Sequence, residues 1–193
     1  MRILLATSNP GKIREIEAIL SGSGFEIDIE PIWLGDIETG VTYLENARIK
    51  AASAVRLSGR AVLAEDSGIE VDVLGGLPGI HSARFAGPGA NDAANNAKLL
   101  RLLEGTTDRQ ARYRAVAVLS LPSSDECIGE GSWEGSIATA PAGDGGFGYD
   151  PIFVPKAQSR TAAQLSRDDK NAVSHRAHAL RQLVEHARAA GII

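Results

Sequence analysis

Cysteine is nearly absent from this chain, which carries a single one, Cys127, among 193 residues. One cysteine can form neither a disulfide within the chain nor a cysteine-based zinc cluster. It stands in a predicted strand without a histidine paired to it, so we do not expect a cysteine nucleophile. The lack of disulfides fits a reducing compartment, and we therefore predict a cytoplasmic protein.

Long apolar runs and an excess of basic residues are also missing. No stretch of about 18 apolar residues occurs, and no charged segment followed by an apolar one opens the chain, so we expect neither membrane spanning nor secretion. Lysine and arginine number 20 against 24 acidic residues, which gives a formal net charge of -4. Such a charge provides no basic field that would hold long nucleic acid by counterion release. Any nucleotides that the protein handles are therefore expected to be small.

Strand and helix signals alternate along the chain. The predicted strands cover residues 2–6, 25–29, 61–64, 69–73, 113–121 and 127–134, and the predicted helices cover residues 13–20, 42–57, 92–103 and 171–190. Asp66-Ser67-Gly68 is typical of a turn and is predicted to separate the third strand from the fourth. Early alternation with a late hairpin predicts an α/β fold with a mixed sheet, as one domain over residues 1–193.

A Gly-Lys pair ends the segment ATSNPGK, between the first predicted strand and the first predicted helix. It is not a Walker loop, because the earlier glycine is missing and Ile13 takes the place of the hydroxyl residue. Backbone N–H groups at a helix N-terminus, Lys12 and the polar residues before it could still form a cradle for an anion. An N-capped helix with a solvated lysine explains the same residues, so both interpretations stay open.

Carboxylates cluster in LAEDSGIEVDVLGG, where Glu65 and Asp66 precede Glu70 and Asp72. Magnesium takes oxygen ligands, commonly one or two carboxylates together with water and substrate phosphate. Like charges at this density repel one another unless a cation lies near, which favours a metal site. The alternatives are a simple turn at Asp66 and an alternation that separates the acids onto two faces of a strand.

The segment GDGGFG at residues 143–148 matches the dinucleotide fingerprint G-x-G-x-x-G in letters only. That fingerprint needs a helix at its end, and Pro151 and Pro155 exclude one, so we reject this interpretation. Glycines around Phe147 and Tyr149 suggest instead a backbone close to a flat ligand, with an aromatic face for stacking. A glycine-rich hairpin with two core aromatic residues explains the pattern equally well.

Lys170, His175 and Arg176 offer hydrogen-bond donors at the start of the last predicted helix. Such donors suit carbonyl oxygens or phosphates, although a solvated helix start would use the same residue types. No Ser/His/Asp constellation is recognisable, so covalent catalysis is not expected.

Six blocks of sequence carry a family resemblance. In chain order they are TSNPGK, ETG, YLENARIKA, AEDSGIEVDVLGGLPGIHSARFAG, GGFGYDPIF and KNAVSHRAHAL. In this order and spacing the chain resembles the inosine triphosphate pyrophosphatase family, the dITP/XTP pyrophosphatases, from Thr7 to Leu180. The resemblance implies an elongated mixed β-sheet flanked by helices, with two lobes and a central active-site cleft. It also implies a homodimer, Mg²⁺ dependence, and hydrolysis of ITP, dITP or XTP to the monophosphate and pyrophosphate.

The resemblance assigns expected roles position by position. Asp66 is the expected catalytic carboxylate and a Mg²⁺ ligand, with Glu38 as second ligand and Glu45 and Glu65 as rivals for that place. Glu45 also completes a predicted capping box with Thr42. Expected substrate positions are Thr7, Ser8, Asn9, Pro10, Gly11, Lys12, Lys50, Ser67, Phe147, Gly148, Tyr149, Asp150, Lys170, His175 and Arg176.

We expect Asp66 or its metal to orient and deprotonate a water that attacks the α-phosphorus. A donor from Lys170, His175 or Arg176 to the 6-keto oxygen would accept hypoxanthine and xanthine and leave adenine mismatched. Two alternative functions stay open. One is a pyrophosphatase for pyrimidine or other modified nucleotides, and the other is a nucleotide sensor without turnover, which would have no need for a water-activating carboxylate.

Overall fold

A computed structural model describes residues 1–30 and 38–193 of the chain. The strands found there are β1 (Arg2–Leu5), β2 (Glu26–Asp28), β3 (Val62–Val71), β4 (Gln110–Ser120), β5 (Glu126–Ile137) and β6 (Phe153–Pro155). The α-helices are α1 (Pro10–Leu20), α2 (Tyr43–Ser58), α3 (Asp92–Leu102), α4 (Arg167–Val173) and α5 (His175–Ala189). Short 3-10 helices lie at Asp72–Leu74, Gly79–Arg84, Asp150–Ile152 and Ala162–Gln164. Within the described ranges, no helix is long and apolar enough to cross a membrane.

The strands form one sheet in the order β2-β1-β3-β4-β5-β6. β1 is parallel to both β2 and β3, and α1 supplies the crossover that a parallel pair such as β1 and β2 requires. At the other edge β5 and β6 are antiparallel. The sheet is therefore mixed and accompanied by helices, which confirms the predicted α/β fold class.

The chain divides into two compact units. Unit 1 comprises Met1–Asp66, Ala115–Gly131 and His175–Ile193, and unit 2 comprises Ser67–Arg114 and Ser132–Ser174. The single domain over residues 1–193 and the central cleft both stay predictions.

Each unit has its own apolar core. In unit 1, Ile3 and Leu63 of the sheet pack with Ile16 of α1 and Leu180 of α5. In unit 2 the core is richer in aromatic residues: the rings of Tyr113 and Phe153 meet edge to face with their centres 4.8 Å apart, and Trp133 packs beside them. Two separate cores agree with a division into two units, because each buries its own apolar side chains.

The turn predicted at residues 66–68 is wrong. β3 continues from Val62 to Val71 without interruption. Gly68 is buried within it and lacks the positive φ that a glycine commonly adopts in a turn. Asp-Ser-Gly has the local chemistry of a turn, but β3 is an inner strand of the sheet with neighbours on both sides. Pairing and burial in the sheet outweigh the local preference. The predicted pair of short strands is therefore one long strand.

The last predicted helix is also wrong in detail, because it consists of two helices. α4 begins at Arg167, after the N-cap Ser166, whose side chain accepts a hydrogen bond from the N–H of Asp169 at 3.1 Å. It ends before Ser174, which has an extended backbone with ψ at 160°. Serine competes for backbone hydrogen bonds and so favours helix boundaries over helix interiors.

Candidate active site

Helix α2 begins with side-chain caps at Thr42 and Glu45. The hydroxyl of Thr42 accepts a hydrogen bond from the N–H of Glu45 at 3.1 Å, as the capping box predicts. The carboxylate of Glu45 accepts from the N–H of Val41 at 2.7 Å, one residue before the cap, and not from Thr42 itself. Glu45 therefore satisfies a free backbone donor at the helix start. This structural role weakens its claim to be the second metal ligand.

Asn46 and Lys50 lie one turn apart on α2 and are both buried. The Nζ atom of Lys50 lies 2.9 Å from Oδ1 of Asp66 on β3 and 3.0 Å from Oε1 of Glu38. Asn46 donates to the other oxygen of Asp66 at 3.3 Å. We call Glu38, Asn46, Lys50 and Asp66 the carboxylate–lysine cluster. The structure thus brings together three residues that were predicted to belong to one site: Glu38, Lys50 and Asp66.

Gly40 explains why the block ETG ends in glycine. Its N–H donates to Oδ1 of Asn46 at 2.8 Å. A Cβ atom at this position would lie 2.8 Å from the same oxygen and 2.7 Å from the Cβ of Glu45. A residue without a side chain is therefore required for this close approach of the backbone to α2. The contact fixes the chain just after Glu38, whose carboxylate pairs with Lys50.

Burial and charge act in opposite directions in this cluster. Burial raises the pKa of Asp66, and the ammonium groups of Lys50 and Lys12 offset part of that rise. For Lys50, burial lowers the pKa, but the charges of Asp66 and Glu38 outweigh it, so the pKa lies above its ordinary value. Lys50 therefore remains a cation. A carboxylate with a raised pKa is a better proton acceptor than an ordinary one, which suits a general base.

Glu38 and Asp66 also fit a magnesium ion. Among the described residues, no group of three His, Cys, Asp or Glu side chains could hold a metal. Mg²⁺ does not need such a group, because it keeps several waters and commonly takes one or two carboxylates together with substrate phosphates. Both carboxylates already share one cation, the ammonium of Lys50. The donor set is therefore suitable for a hard divalent cation that the substrate helps to bind.

Glu65 lies in a second cluster, although it is the neighbour of Asp66 on β3. Its side chain is 0% exposed, with Oε2 2.7 Å from Nζ of Lys12 and Oε1 3.0 Å from a guanidinium nitrogen of Arg176. Arg176 also donates to the carboxylate of Glu15 on α1. We call Lys12, Glu15, Glu65 and Arg176 the buried ion network. Between a lysine and an arginine, Glu65 is a weaker candidate than Glu38 for the second metal ligand.

The charges of the network decide the ionisation of Glu65. Burial alone would raise its pKa, but Arg176 and Lys12 outweigh burial and hold the pKa far below its usual range. Glu65 is therefore a permanent anion at neutral pH. It holds Lys12 and Arg176 in place and is not a proton acceptor.

The four acids predicted as a cluster divide into two pairs. Glu65 and Asp66 end the first stretch of unit 1, whereas Glu70 and Asp72 belong to unit 2. There Arg112 lies 3.9 Å from Glu70 and 2.7 Å from Asp72. Nearby cations therefore relieve the predicted repulsion. The predicted step from clustered carboxylates to a single metal site is too simple, because lysine and arginine side chains supply the cations that lie near these carboxylates.

The ATSNPGK loop runs into a capped helix. Asn9 is the N-cap of α1, and its Oδ1 accepts from the N–H groups of Gly11 at 2.8 Å and Lys12 at 3.2 Å. Pro10 is the first helical residue, where its missing N–H removes no intrahelical hydrogen bond. The predicted N-capped helix is therefore confirmed. The solvated lysine predicted together with it is wrong, because Lys12 pairs with Glu65 and its side chain is only 15% exposed.

The residues before the helix are accessible to a ligand. Ser8, Asn9 and Pro10 are exposed, and Thr7 is half-buried with its hydroxyl accepting from the N–H of Asn9 at 3.2 Å. The first two free N–H groups of α1 are occupied by the side chain of Asn9. An anion at this helix start would therefore have to share or replace the oxygen of Asn9. The predicted role of Thr7 to Lys12 as a phosphate cradle stays a prediction.

Unit 2 contains the aromatic segment, which we define as Phe147–Asp150. Asp150 is its anchor: one oxygen accepts from the N–H of Phe147 at 2.9 Å, the other accepts from the hydroxyl of Tyr113 at 3.2 Å, and Lys170 forms an ion pair with it. The Nζ atom of Lys170 lies 5.0 Å from the centre of the Phe147 ring, within the range of a cation–π contact. The structure thus joins the predicted Phe147, Asp150 and Lys170.

The two aromatic residues of this segment have different environments. Tyr149 is buried, and its hydroxyl donates to the carbonyl oxygen of Ser82 at 2.8 Å. Burial above all, with the charge of Asp92, raises the pKa of Tyr149. Phe147 is only half-buried. Tyr149 is therefore a core residue of unit 2, and Phe147 is the better candidate for stacking on a ligand.

The predicted donors near the C-terminus lie on two helices. Lys170 belongs to α4 and unit 2, whereas His175 and Arg176 begin α5 and belong to unit 1. All three are buried, so the alternative of a solvated helix start is wrong. Ser67 follows Asp66 on β3 and is half-buried.

Three residues that contact the predicted site residues were not themselves predicted: Glu15, Asn46 and Tyr113. Helical spacing could have found two of them, because Asn46 lies four residues before Lys50 and Glu15 lies three residues after Lys12. Tyr113 carries no such local signal, since its partner Asp150 lies 37 residues away in the chain.

Sequence comparison finds bacterial relatives over most of the chain. Residues 3–186 match the Ham1 family. The dITP/XTP pyrophosphatase of an Exiguobacterium species is 48% identical over 186 residues, which cover 95% of this chain and 95% of that relative. The dITP/XTP pyrophosphatase of Streptococcus pyogenes is 46% identical over 189 residues, which cover 95% of this chain but 58% of that longer protein.

A solved structure has the same fold. The Ham1 protein of Staphylococcus aureus superposes with a TM-score of 0.86 and 39% sequence identity, covering 98% of this chain and 100% of that one. The similarity therefore extends through the whole mixed sheet and its helices. Because the family match and the relatives both cover nearly the full length, this chain belongs to the Ham1 family.

Proposed function

We propose that this protein hydrolyses the non-standard purine nucleoside triphosphates ITP, dITP and XTP to the monophosphate and pyrophosphate, and so cleanses the nucleotide pool. The carboxylate–lysine cluster carries the proposal, because it combines a carboxylate of raised pKa, Asp66, with a second carboxylate and a cation. The names of the curated relatives, dITP/XTP pyrophosphatases, support the choice of substrate.

The residues of unit 1 can perform the hydrolysis in one step. Glu38 and Asp66 would hold a Mg²⁺ ion, which polarises phosphate oxygens and acidifies a bound water. Asp66 accepts the proton of the attacking water as its oxygen bonds to the α-phosphorus. The bond from the α-phosphorus to the bridging oxygen breaks, and pyrophosphate leaves with the bonding electron pair. Lys50 and Lys12 neutralise the phosphate charge, which matters because this chemistry depends on alignment and electrostatics.

Base recognition is proposed for the aromatic segment and Lys170 in unit 2. The ring of Phe147 offers a stacking face, and the buried ammonium of Lys170 is a donor for the 6-keto oxygen of hypoxanthine or xanthine. Adenine carries an amino group at this position, which would leave a buried donor unpaired, a costly mismatch. His175 keeps its predicted role as a substrate contact. The contacts of Arg176 with Glu15 and Glu65 favour an indirect role through positioning.

Three finer properties belong to the same proposal: dependence on Mg²⁺, a homodimeric state and a cytoplasmic location. The donor chemistry of Glu38 and Asp66 supports the first. The second rests on the resemblance stated above. The third rests on the single buried cysteine, which suits a reducing compartment.

A substrate panel tests the proposal. Pyrophosphate release is measured for ITP, XTP, dITP, GTP, ATP and dUTP, with Mg²⁺ and with a chelator. We expect the highest kcat/KM for ITP, dITP and XTP, and no turnover without the metal. Comparable values for ATP and ITP would refute the selectivity, preference for dUTP would favour a pyrimidine enzyme, and binding without pyrophosphate release would favour a sensor.

The substitution Asp66→Asn tests the assigned proton acceptor. We expect it to abolish turnover while the melting temperature and circular dichroism spectrum remain those of a folded protein. Asp125→Asn is a suitable control, because Asp125 is exposed and its carboxylate accepts from Ser123 in a turn of unit 1. Near-normal activity of Asp66→Asn would remove Asp66 from the mechanism.

A further inference from the structure

Helix α3 binds both backbone polar groups of one residue in the aromatic segment, Gly148. Oδ2 of Asp92 accepts a hydrogen bond from the N–H of Gly148 at 2.6 Å, and Nδ2 of Asn96 donates to the carbonyl oxygen of Gly148 at 3.0 Å. Asp92 and Asn96 are four residues apart and therefore lie on the same face of the helix. A single rigid element thus fixes Gly148 from both sides.

These bonds restrict the backbone on the C-terminal side of Phe147. The N–H of Gly148 belongs to the planar peptide that joins Phe147 to Gly148, and Asp92 fixes the orientation of that plane. The peptide before Phe147 is fixed by its own N–H, which donates to Asp150 at 2.9 Å. Both planes flanking Phe147 are therefore hydrogen-bonded. The remaining freedom is the rotation of its side chain, beside which Lys170 lies.

The amide of Asn96 has a defined orientation. The residue is 7% exposed, and turning the amide over would place its oxygen against the carbonyl oxygen of Gly148. Two acceptors facing each other in a buried place are unfavourable, so the donor must face Gly148. Asn96 therefore recognises the carbonyl group specifically and does not simply fill space.

We infer that Asp92 and Asn96 are positioning residues for nucleoside binding, which act through Gly148 on the ring of Phe147. The inference rests on the proposed function, since it requires the aromatic segment to contact the base. A ring held in place before the ligand arrives loses little conformational freedom on binding, which raises affinity. Neither residue needs to touch the nucleotide, and neither belongs to the blocks that carried the family resemblance.

Four variants separate this role from general stability. Asp92→Ala removes the acceptor for Gly148, whereas Asp92→Asn keeps an oxygen that can accept the same bond. Asn96→Asp keeps the shape but places a carboxylate oxygen against the carbonyl. Asn91→Ala is the matched control, because Asn91 caps α3 by accepting from the N–H of Ala94 at 2.9 Å, whereas the side chains that hydrogen-bond to Gly148 in the described part of the chain are those of Asp92 and Asn96.

The measured quantities are kcat and KM for ITP, and product inhibition by inosine monophosphate and by pyrophosphate. In Asp92→Ala and Asn96→Asp we expect KM and the inhibition constant of inosine monophosphate to rise about three- to tenfold, while kcat stays nearly constant. A change of this size corresponds to the loss of one net hydrogen bond. The inhibition constant of pyrophosphate should not change, because pyrophosphate carries no base. Asp92→Asn should stay close to the parent protein, and Asn91→Ala should lower the melting temperature without changing KM.

Unchanged KM in Asp92→Ala and Asn96→Asp overturns the inference, as does an equal change in Asn91→Ala. If Asp92→Ala does not fold, the KM of Asn96→Asp decides the question. If the parent protein releases no pyrophosphate from any triphosphate, the proposed function fails separately. Calorimetric binding of inosine monophosphate to the parent and the variants then still tests the role of Asp92 and Asn96, and equal affinities contradict it.

Discussion

Replacing Glu65 by glutamine tests the buried ion network, because it removes one negative charge and leaves the shape nearly unchanged. The side chain of Glu65 is 0% exposed and meets Lys12 at 2.7 Å and Arg176 at 3.0 Å. Arg176 is itself only 2% exposed and keeps the carboxylate of Glu15 in the variant. Glu65→Gln therefore leaves two cations with less compensating charge in a place that excludes water.

The expected loss of stability is large for a single substitution. Removing one partner of a buried ion pair costs about 3–5 kcal/mol of unfolding free energy. Glutamine still accepts a hydrogen bond from Arg176, and Glu15 remains, so we expect the lower end, about 3 kcal/mol. In a chain of this size 1 kcal/mol corresponds to about 2–4 °C, so the melting temperature should fall by about 6–12 °C.

Thermal and urea denaturation followed by circular dichroism measure this change at neutral pH. Glu26→Gln is the control, because it neutralises the exposed pair of Arg2 and Glu26, whose side chains are 73% and 72% exposed. Exposed pairs contribute about 0–1 kcal/mol, so the control should melt near the parent protein. Equal melting temperatures of the two variants would refute the argument that burial makes the Glu65 contacts strong.

The pH dependence follows from the direction of the pKa shift. The pKa of Glu65 is lowered by folding, so its contribution is fully present above the unfolded pKa, about 4.3, and disappears as the pH falls through the lowered value. The difference in unfolding free energy between the parent and Glu65→Gln should therefore stay constant from neutral pH to about 5 and shrink below that. A difference that widens on acidification contradicts the assigned direction.

Two further substitutions and one labelling reaction test other parts of the molecule. Gly129→Ala should lower the midpoint of urea denaturation strongly, because a Cβ there would clash with α5 and lie 2.6 Å from the backbone nitrogen of Leu183. Cys127 is buried and burial raises its pKa, so iodoacetamide should label it only after unfolding; rapid labelling of the native protein would contradict this. Lys50→Met should lower kcat for ITP about 100-fold or more, and a change below tenfold would remove Lys50 from the charge stabilisation.

Periodicity and capping predicted most elements of the fold correctly. Apolar spacing gave α1, α2 and α3 to within a few residues, and the predicted cap at Thr42 is present. The errors occur where local chemistry and tertiary context disagree. Residues 66–68 have the composition of a turn, yet they form the middle of an inner strand, because pairing with neighbours on both sides is a property of the sheet and not of the segment.

Which residues lie together in the candidate site was easier to predict than the contacts that each of them makes. Asp66 came from the clustered carboxylates and from the family resemblance, and the resemblance added Glu38 and Lys50; the structure brings the three together. The partner of Arg176 on α1 could not be predicted, since Glu15 lies 161 residues away in the chain. Helix α3 likewise gave no sign in the sequence that Asp92 and Asn96 bind Gly148, more than 50 residues further on. Contacts of this kind are set by topology, and neither composition nor spacing encodes them locally.

The two adjacent acids Glu65 and Asp66 show why the uninterrupted strand matters for the chemistry. Successive side chains of a strand point to opposite faces, so one carboxylate meets Lys12 and Arg176 while the other meets Lys50. The pKa of the first is lowered and that of the second is raised. Neighbouring titratable groups whose pKa values are pushed apart by their surroundings commonly divide structural and catalytic roles. A turn at residues 66–68 would not impose this alternation. The feature that contradicts the local sequence signal is therefore the one that leaves Asp66, and not Glu65, available for the proposed role of proton acceptor.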